Sequence, residues 1–133
     1  MNLPKKLLYT KNRVWVRVED DTAVVGIIDE LQDALESIEN VQLPSLNDEL
    51  EMDMECAVLH YGNSIYDIRS PLTGRVLAVN RDLRRQPELL HSDPYGAGWL
   101  FKMEYDEPDE LEMLYTSSQF VHEMENGTLD DLG

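Results

Sequence analysis

Residues 55–74 read ECAVLHYGNSIYDIRSPLTG. Cys56, Val58 and His60 alternate with Ala57, Leu59 and Tyr61, so one set points one way and the other set the opposite way. Period-two alternation marks a strand. Gly62-Asn63 makes a tight turn, because both residue types tolerate positive φ. Ser64 to Arg69 is the return strand, and Pro71 to Gly74 turns the chain into a further alternating strand, Arg75 to Val79. The centre of the chain is therefore a hairpin whose tip is Gly62-Asn63.

The same punctuation extends in both directions. Arg13 to Val18 sets Val14, Val16 and Val18 on one side and Arg13, Trp15 and Arg17 on the other. It is followed by the polar turn Glu19-Asp20-Asp21 and a second strand, Thr22 to Ile27. Val41 to Leu43 is a short strand stopped by Pro44, and Glu49 to Met54 leads into the central hairpin. Trp99 to Tyr105 is the last strand, reached through the glycine-rich turn Tyr95-Gly96-Ala97-Gly98. Many short strands and turns argue for a small barrel or sandwich.

Helices are few. Asp29 can cap one over Glu30 to Ser37, with Leu31, Ala34 and Leu35 as its apolar face. Pro87 opens a single turn through Leu90. Pro108 suits the first turn of a helix to about Tyr115. Ser117 can cap a second through Met124, with Phe120, Val121 and Met124 as its stripe and Asn126-Gly127 as its end. Residues 1–8 read as a loose basic leader, 9–127 as one domain and 128–133 as an acidic tail.

The 133 residues suit one domain with a real core. With 27 acidic against 11 basic side chains, the net charge is −16. Such a surface repels nucleic-acid phosphates and anionic lipid and favours protein partners with basic docking surfaces, although charge also serves solubility alone. A single cysteine excludes an internal disulfide. No apolar run approaches the roughly 20 residues of a membrane span. MNLPKKLLYTKNR lacks the apolar core of a secretion signal. A monomeric cytoplasmic protein is the expectation.

The chain resembles the glycine cleavage H protein. Tyr9-Thr10-Lys11 and Trp15-Val16-Arg17-Val18-Glu19 follow its opening, YTKEHEWVRVE. Val25-Gly26-Ile27, Gln32 and Ala34-Leu35 follow VGITDYAQEALG, and Val41 with Leu43-Pro44 follows VELPxxGD. Cys56, Asp67, Ile68, Pro71 and Gly74 follow ECxVVESVKAxSDIYAPVSG. Val79-Asn80 and Pro87-Glu88-Leu89 follow VNxxLxxxPELVN, and Asp93-Pro94-Tyr95-Gly96 with Gly98-Trp99-Leu100 closely matches a further family motif. The resemblance spans Leu8 to Glu125. It implies a mainly β fold with small α content, a flattened barrel-sandwich hybrid of the lipoyl- and biotinyl-carrier type, ending in a pair of helices.

In that family the hairpin tip carries lipoic acid on a lysine, and the lysine position falls on Asn63. Lipoylation needs a nucleophilic primary amine, whereas the nitrogen of a carboxamide is conjugated with its carbonyl. The lysines are Lys5, Lys6, Lys11 and Lys102, so nothing between Asn12 and Phe101 can form the amide. The neighbours have changed too: the family's ESVKA becomes His60, Tyr61, Gly62, Asn63 and Ser64. The histidine of HEW falls on Arg13 and its acid on Val14. GDIVFVELP becomes Glu36-Ser37-Ile38-Glu39-Asn40-Val41-Gln42-Leu43-Pro44. Frame positions persist while attachment and groove positions differ.

The resulting expectation is an H-protein-like chain without lipoate. It acts as a non-catalytic scaffold or modulator toward lipoate-attaching or glycine-cleavage-type enzymes, with His60 to Ser64 as the contact tip. The alternatives are a small-ligand module using the lipoyl-arm groove, or a working carrier modified at an unexpected site. Cys56 reads as strand filler rather than a reactive thiol. His60, His91 and His122 show no metal-ligand spacing, and His60 near Tyr61 and Asp67 is either a pH-sensitive contact or an ordinary surface histidine. Glu107, Asp109, Glu110 and Glu112 read as a solvated helix face or as docking charge. No nucleophile–base motif is present, so no enzyme is expected.

Overall fold

A computed structural model describes residues 3–35 and 37–127. Glu36, expected within the first helix, and the expected acidic tail lie outside the described residues. Among the described residues, nine strands form two antiparallel sheets. The larger runs β1 (Leu8–Tyr9), β2 (Val14–Glu19), β3 (Thr22–Ile27), β9 (Phe101–Tyr105), β8 (Gly74–Val79) and β5 (Glu49–Leu50), in that order across the sheet. The smaller runs β4 (Asn40–Gln42), β6 (Glu55–Tyr61) and β7 (Ser64–Arg69). The architecture is a two-sheet sandwich with a few short helices, and the strands do not close into a barrel.

Alternation holds on the smaller sheet, where Ala57, Leu59 and Ile68 are buried and Cys56, Val58 and His60 are only partly covered. It fails on β2 and β3. There Val14, Trp15 and Val16 are all fully buried, and every residue from Ala23 to Ile27 is buried. The second face of this sheet is covered by the turn at residues 93–98 and by helix α1 (Asp29–Leu35), so Trp15 and Arg13 face protein rather than water. Trp15 Nε1 donates to Pro94 O at 3.0 Å, and its ring lies across Gly26, its register partner on β3, where any Cβ would overlap the indole. Tyr95 packs on the same indole at 6.1 Å and donates from its hydroxyl to Asp29 Oδ1 at 3.0 Å. The Asp-Pro-Tyr-Gly turn is thus a clamp between Trp15 and the start of α1.

Three further expectations change and one is extended. The stretch expected to be a loose leader is docked from Leu3: Leu3 and Leu7 enter the core, and Tyr9 donates to Pro4 O at 2.6 Å. The buried stripe of α1 is Leu31, Gln32 and Leu35, whereas Ala34 is exposed. The turn expected from Pro87 through Leu90 forms, with Leu90 N–H donating to Pro87 O at 3.1 Å, and continues into α2 (Leu89–Ser92); before it lies an unexpected 3-10 turn at Arg81–Arg84, started by the Asn80 side chain. In the C-terminal pair the first helix is 3-10 (Pro108–Met113), and the second, α3 (Ser117–Glu125), is capped by Thr116 rather than Ser117. Thr116 wins because it completes a capping box with Gln119. Helix α3 docks through Phe120, whose ring meets Tyr9 at 5.7 Å and Tyr115 at 6.3 Å. No helix among the described residues is long and apolar enough to cross a membrane.

Candidate functional site

The hairpin projects from the smaller sheet. Tyr61 and Ser64 pair at its end, leaving the two-residue loop Gly62-Asn63. Gly62 has φ 58°, while Asn63 is not among the residues with positive φ. Gly62 alone therefore carries the left-handed conformation, as the first loop residue of a II′ turn does. Asn63 sits in ordinary backbone space and is exposed with Gly62 and Ser64.

The hairpin's base is braced. Ser70 N–H donates to Met54 O and Asp53 N–H to Ser70 O, each at 2.8 Å, and buried Ser70 Oγ donates to Leu72 O at 2.7 Å. Glu110 accepts from Thr73 N–H at 2.8 Å and from the Thr73 hydroxyl at 2.7 Å. One residue of the acidic run, expected to face solvent, thus holds the Ser-Pro-Leu-Thr-Gly turn.

Beside the tip lies a groove of about 310 Å³ lined by Leu35, Ser37, Glu39, Tyr61, Gly62, Asn63 and Ser64. Its lining at residues 37–39 is fixed from two sides. Glu39 N–H donates to His60 O at 2.8 Å, starting the β4–β6 ladder, and Ile38 N–H donates to His91 Nε2 at 3.3 Å. The latter bond requires His91 Nε2 to be the unprotonated ring nitrogen. Tyr61, Gly62, Asn63 and Ser64 are thereby brought together. His60 is not in the groove lining, and its Nε2 is buried with no hydrogen-bond partner among the described residues. No hydrogen bond or ion pair joins His60 to Asp67, which stands opposite Val58 on the return strand. Leu35, Ser37 and Glu39 were not singled out as site residues by sequence reasoning. The available signal was that 36–44 departs from the family pattern together with 60–64.

On the hairpin's other flank the Tyr66 hydroxyl reaches Asn12 O at 3.5 Å. Burial raises its pKa, partly offset by the nearby Arg13 cation. Arg13 is buried at φ 65°, donating from Nε to Glu30 Oε1 at 3.3 Å and from Nη1 to Lys11 O at 3.1 Å. That backbone region is uncommon for a non-glycine residue. Here the partly buried ion pair and the hydrogen bonds hold it.

Cys56 sits at the β-bulge between Glu55 and Ala57, with Sγ 3.4 Å from Ile68 O. Burial pushes its thiol up to about 12. The thiolate is the reactive form. At pH 8 the native thiol should therefore react with a disulfide reagent on the order of 100-fold or more slowly than the same thiol in denaturant. Comparable rates, measured by stopped-flow absorbance, would show that Cys56 is accessible and ionised in the native protein. Among the described residues no group of three or more His, Cys, Asp or Glu side chains converges as a metal site.

Comparison with known proteins agrees with this geometry. The family described as Glycine cleavage H-protein matches residues 7–127. A glycine cleavage system H protein from Psychrobacter sp. (strain PRwf-1) is 39% identical over 124 residues, covering 92% of this chain and 98% of that protein. One from Halothermothrix orenii is 39% identical over 125 residues, covering 94% of this chain and 98% of that protein. The crystal structure of a glycine cleavage system H protein from Mycobacterium marinum superposes with TM-score 0.80 at 26% identity, covering 94% of this chain and 99% of the other. This chain belongs to the glycine cleavage H-protein family.

Proposed function

We propose that this H-protein-family chain works without lipoate, as a non-catalytic binding module whose hairpin tip is a contact surface rather than an attachment point. The observation that carries the reading is the exposed tip residue Asn63 in a chain with no lysine from residue 12 to residue 101. The tip does not fit the lipoyl group, because no primary amine stands there to form the amide. The lysines lie elsewhere: Lys102 is on β9, 3.6 Å from Glu19, and Lys5, Lys6 and Lys11 belong to the N-terminal segment. His60, Tyr61, Gly62 and Ser64 complete the contact tip.

The partners are lipoate-attaching enzymes, glycine decarboxylase- or aminomethyltransferase-type enzymes, or a rewired protein with a basic docking surface. The net charge of −16 favours such a surface and disfavours nucleic acid and anionic membrane. The chain acts as a cytoplasmic monomer that scaffolds or modulates rather than catalyses. Coexpression with a lipoate ligase and lipoate, followed by intact-mass spectrometry, tests the core of this reading. The expected spectrum shows the unmodified mass alone, and a species heavier by one lipoyl group would overturn it.

A further inference from the structure

We infer that the groove beside the hairpin tip receives a lysine or arginine side chain presented by the partner protein. The inference rests on the reading above, since it takes the tip to be free of a cation or arm of its own.

The lining supplies what a long cationic side chain requires. Leu35, only 4% exposed, gives an apolar floor for the methylene stem. Half-buried Tyr61 also lines the groove, and an aromatic ring is a favourable neighbour for a cation. Glu39 lines the same groove from the segment that leads into β4. Its side chain is exposed, and it makes no ion pair among the described residues. Ser37, Asn63 and Ser64 add short polar groups around the rim, where the protons of an ammonium or guanidinium need acceptors.

The groove's charge is uncompensated. No cationic side chain is among its lining residues, so its electrostatic complement must come from outside. The backbone that carries Glu39 is fixed beforehand. The Glu39 backbone is bonded to His60 on β6, and the preceding residue is bonded to His91 on α2. Little ordering of this segment remains to be done on binding, which favours affinity. A lysine at position 63 would compete for the same carboxylate from within the chain; asparagine leaves it open.

The test is an amide NMR titration of the full chain with the blocked peptide Gly-Gly-Lys-Gly-Gly and with its norleucine counterpart. The lysine peptide should shift amides of residues 37–39 and 61–64, and the norleucine peptide should not. Glu39→Gln should weaken the lysine peptide about 3- to 5-fold, the scale of one partly exposed ion pair. Asp21→Asn, which removes an equal charge from an exposed position outside the groove, should leave the affinity unchanged. The same spectra verify that both variants are folded. Three outcomes would each overturn the inference: shifts scattered over the acidic surface, equal affinity in Glu39→Gln, or no shift at these amides. The intact mass of the same preparation is read separately, so an unmodified chain that fails the titration leaves the unlipoylated reading standing.

Discussion

Asn63→Lys, coexpressed with a lipoate ligase and lipoate, is expected to shift from no modified species to a predominant one heavier by a single lipoyl group. The backbone permits the change. Gly62 alone carries positive φ in the turn, so a lysine at 63 meets no steric penalty there. The position is exposed, and the hairpin beneath it is braced through Ser70, Leu72, Thr73 and Glu110. The substitution restores the missing nucleophile on a frame that still matches the family over residues 7–127. The wild-type chain run in parallel is the control. If Asn63→Lys folds but stays unmodified, the ligase-facing surface formed by His60, Tyr61 and Ser64 has diverged along with the lysine. That result would favour a rewired partner over lipoate-attaching enzymes.

Trp15→Ala should destabilise the fold by about 3–5 kcal/mol, the range for truncating a large buried aromatic. Trp15 is fully buried and joins three parts of the chain: its own strand, Gly26 beneath the indole, and the Pro94-Tyr95 turn. Removing it opens a large cavity and frees the clamp that seats Asp29 at the start of α1. Helix α1 ends at Leu35, the floor of the groove. The loss should therefore appear twice: as a lower midpoint in urea unfolding, and as faster amide exchange over residues 29–35. Gly26→Val attacks the same contact from the other side and should be comparably damaging, because the added side chain needs the space the indole fills. A destabilisation below about 1 kcal/mol for Trp15→Ala would mean that the indole is not the keystone of this layer.

Much of the molecule was legible from residues alone because its signals are local. The strands around Gly62-Asn63 declare themselves by alternation and by a turn that needs one left-handed residue. The end of α3 is marked by Asn126 and by Gly127, which takes φ 70°. Other features were hidden because they depend on what covers a residue. Nothing in the alternation of Arg13 to Val18 says that both faces of the strand are buried. Ala34 and Gln32 exchanged roles because α2 packs against α1. Ser117 and Thr116 are equally good caps by residue type, and the position of Gln119 three residues beyond Thr116 decides between them. Leu3 and Leu7 carry no periodic signal, yet the core has room for both.

The sequence by itself determined the mainly β class, the central hairpin, family membership through motifs in order and at matching spacing, and the absence of an amine at the tip. These follow from residue identity and from short-range geometry, which a linear chain displays directly. Only the tertiary structure decided that the strands divide into two sheets without closing, that Glu110 anchors a turn instead of facing water, and that Glu39 and Tyr61 line one groove. Glu39 and Tyr61 are 22 positions apart in the chain. They meet because β4 pairs with β6 while His91 holds the segment leading into β4, and such long-range pairing leaves no local trace in the order of residues.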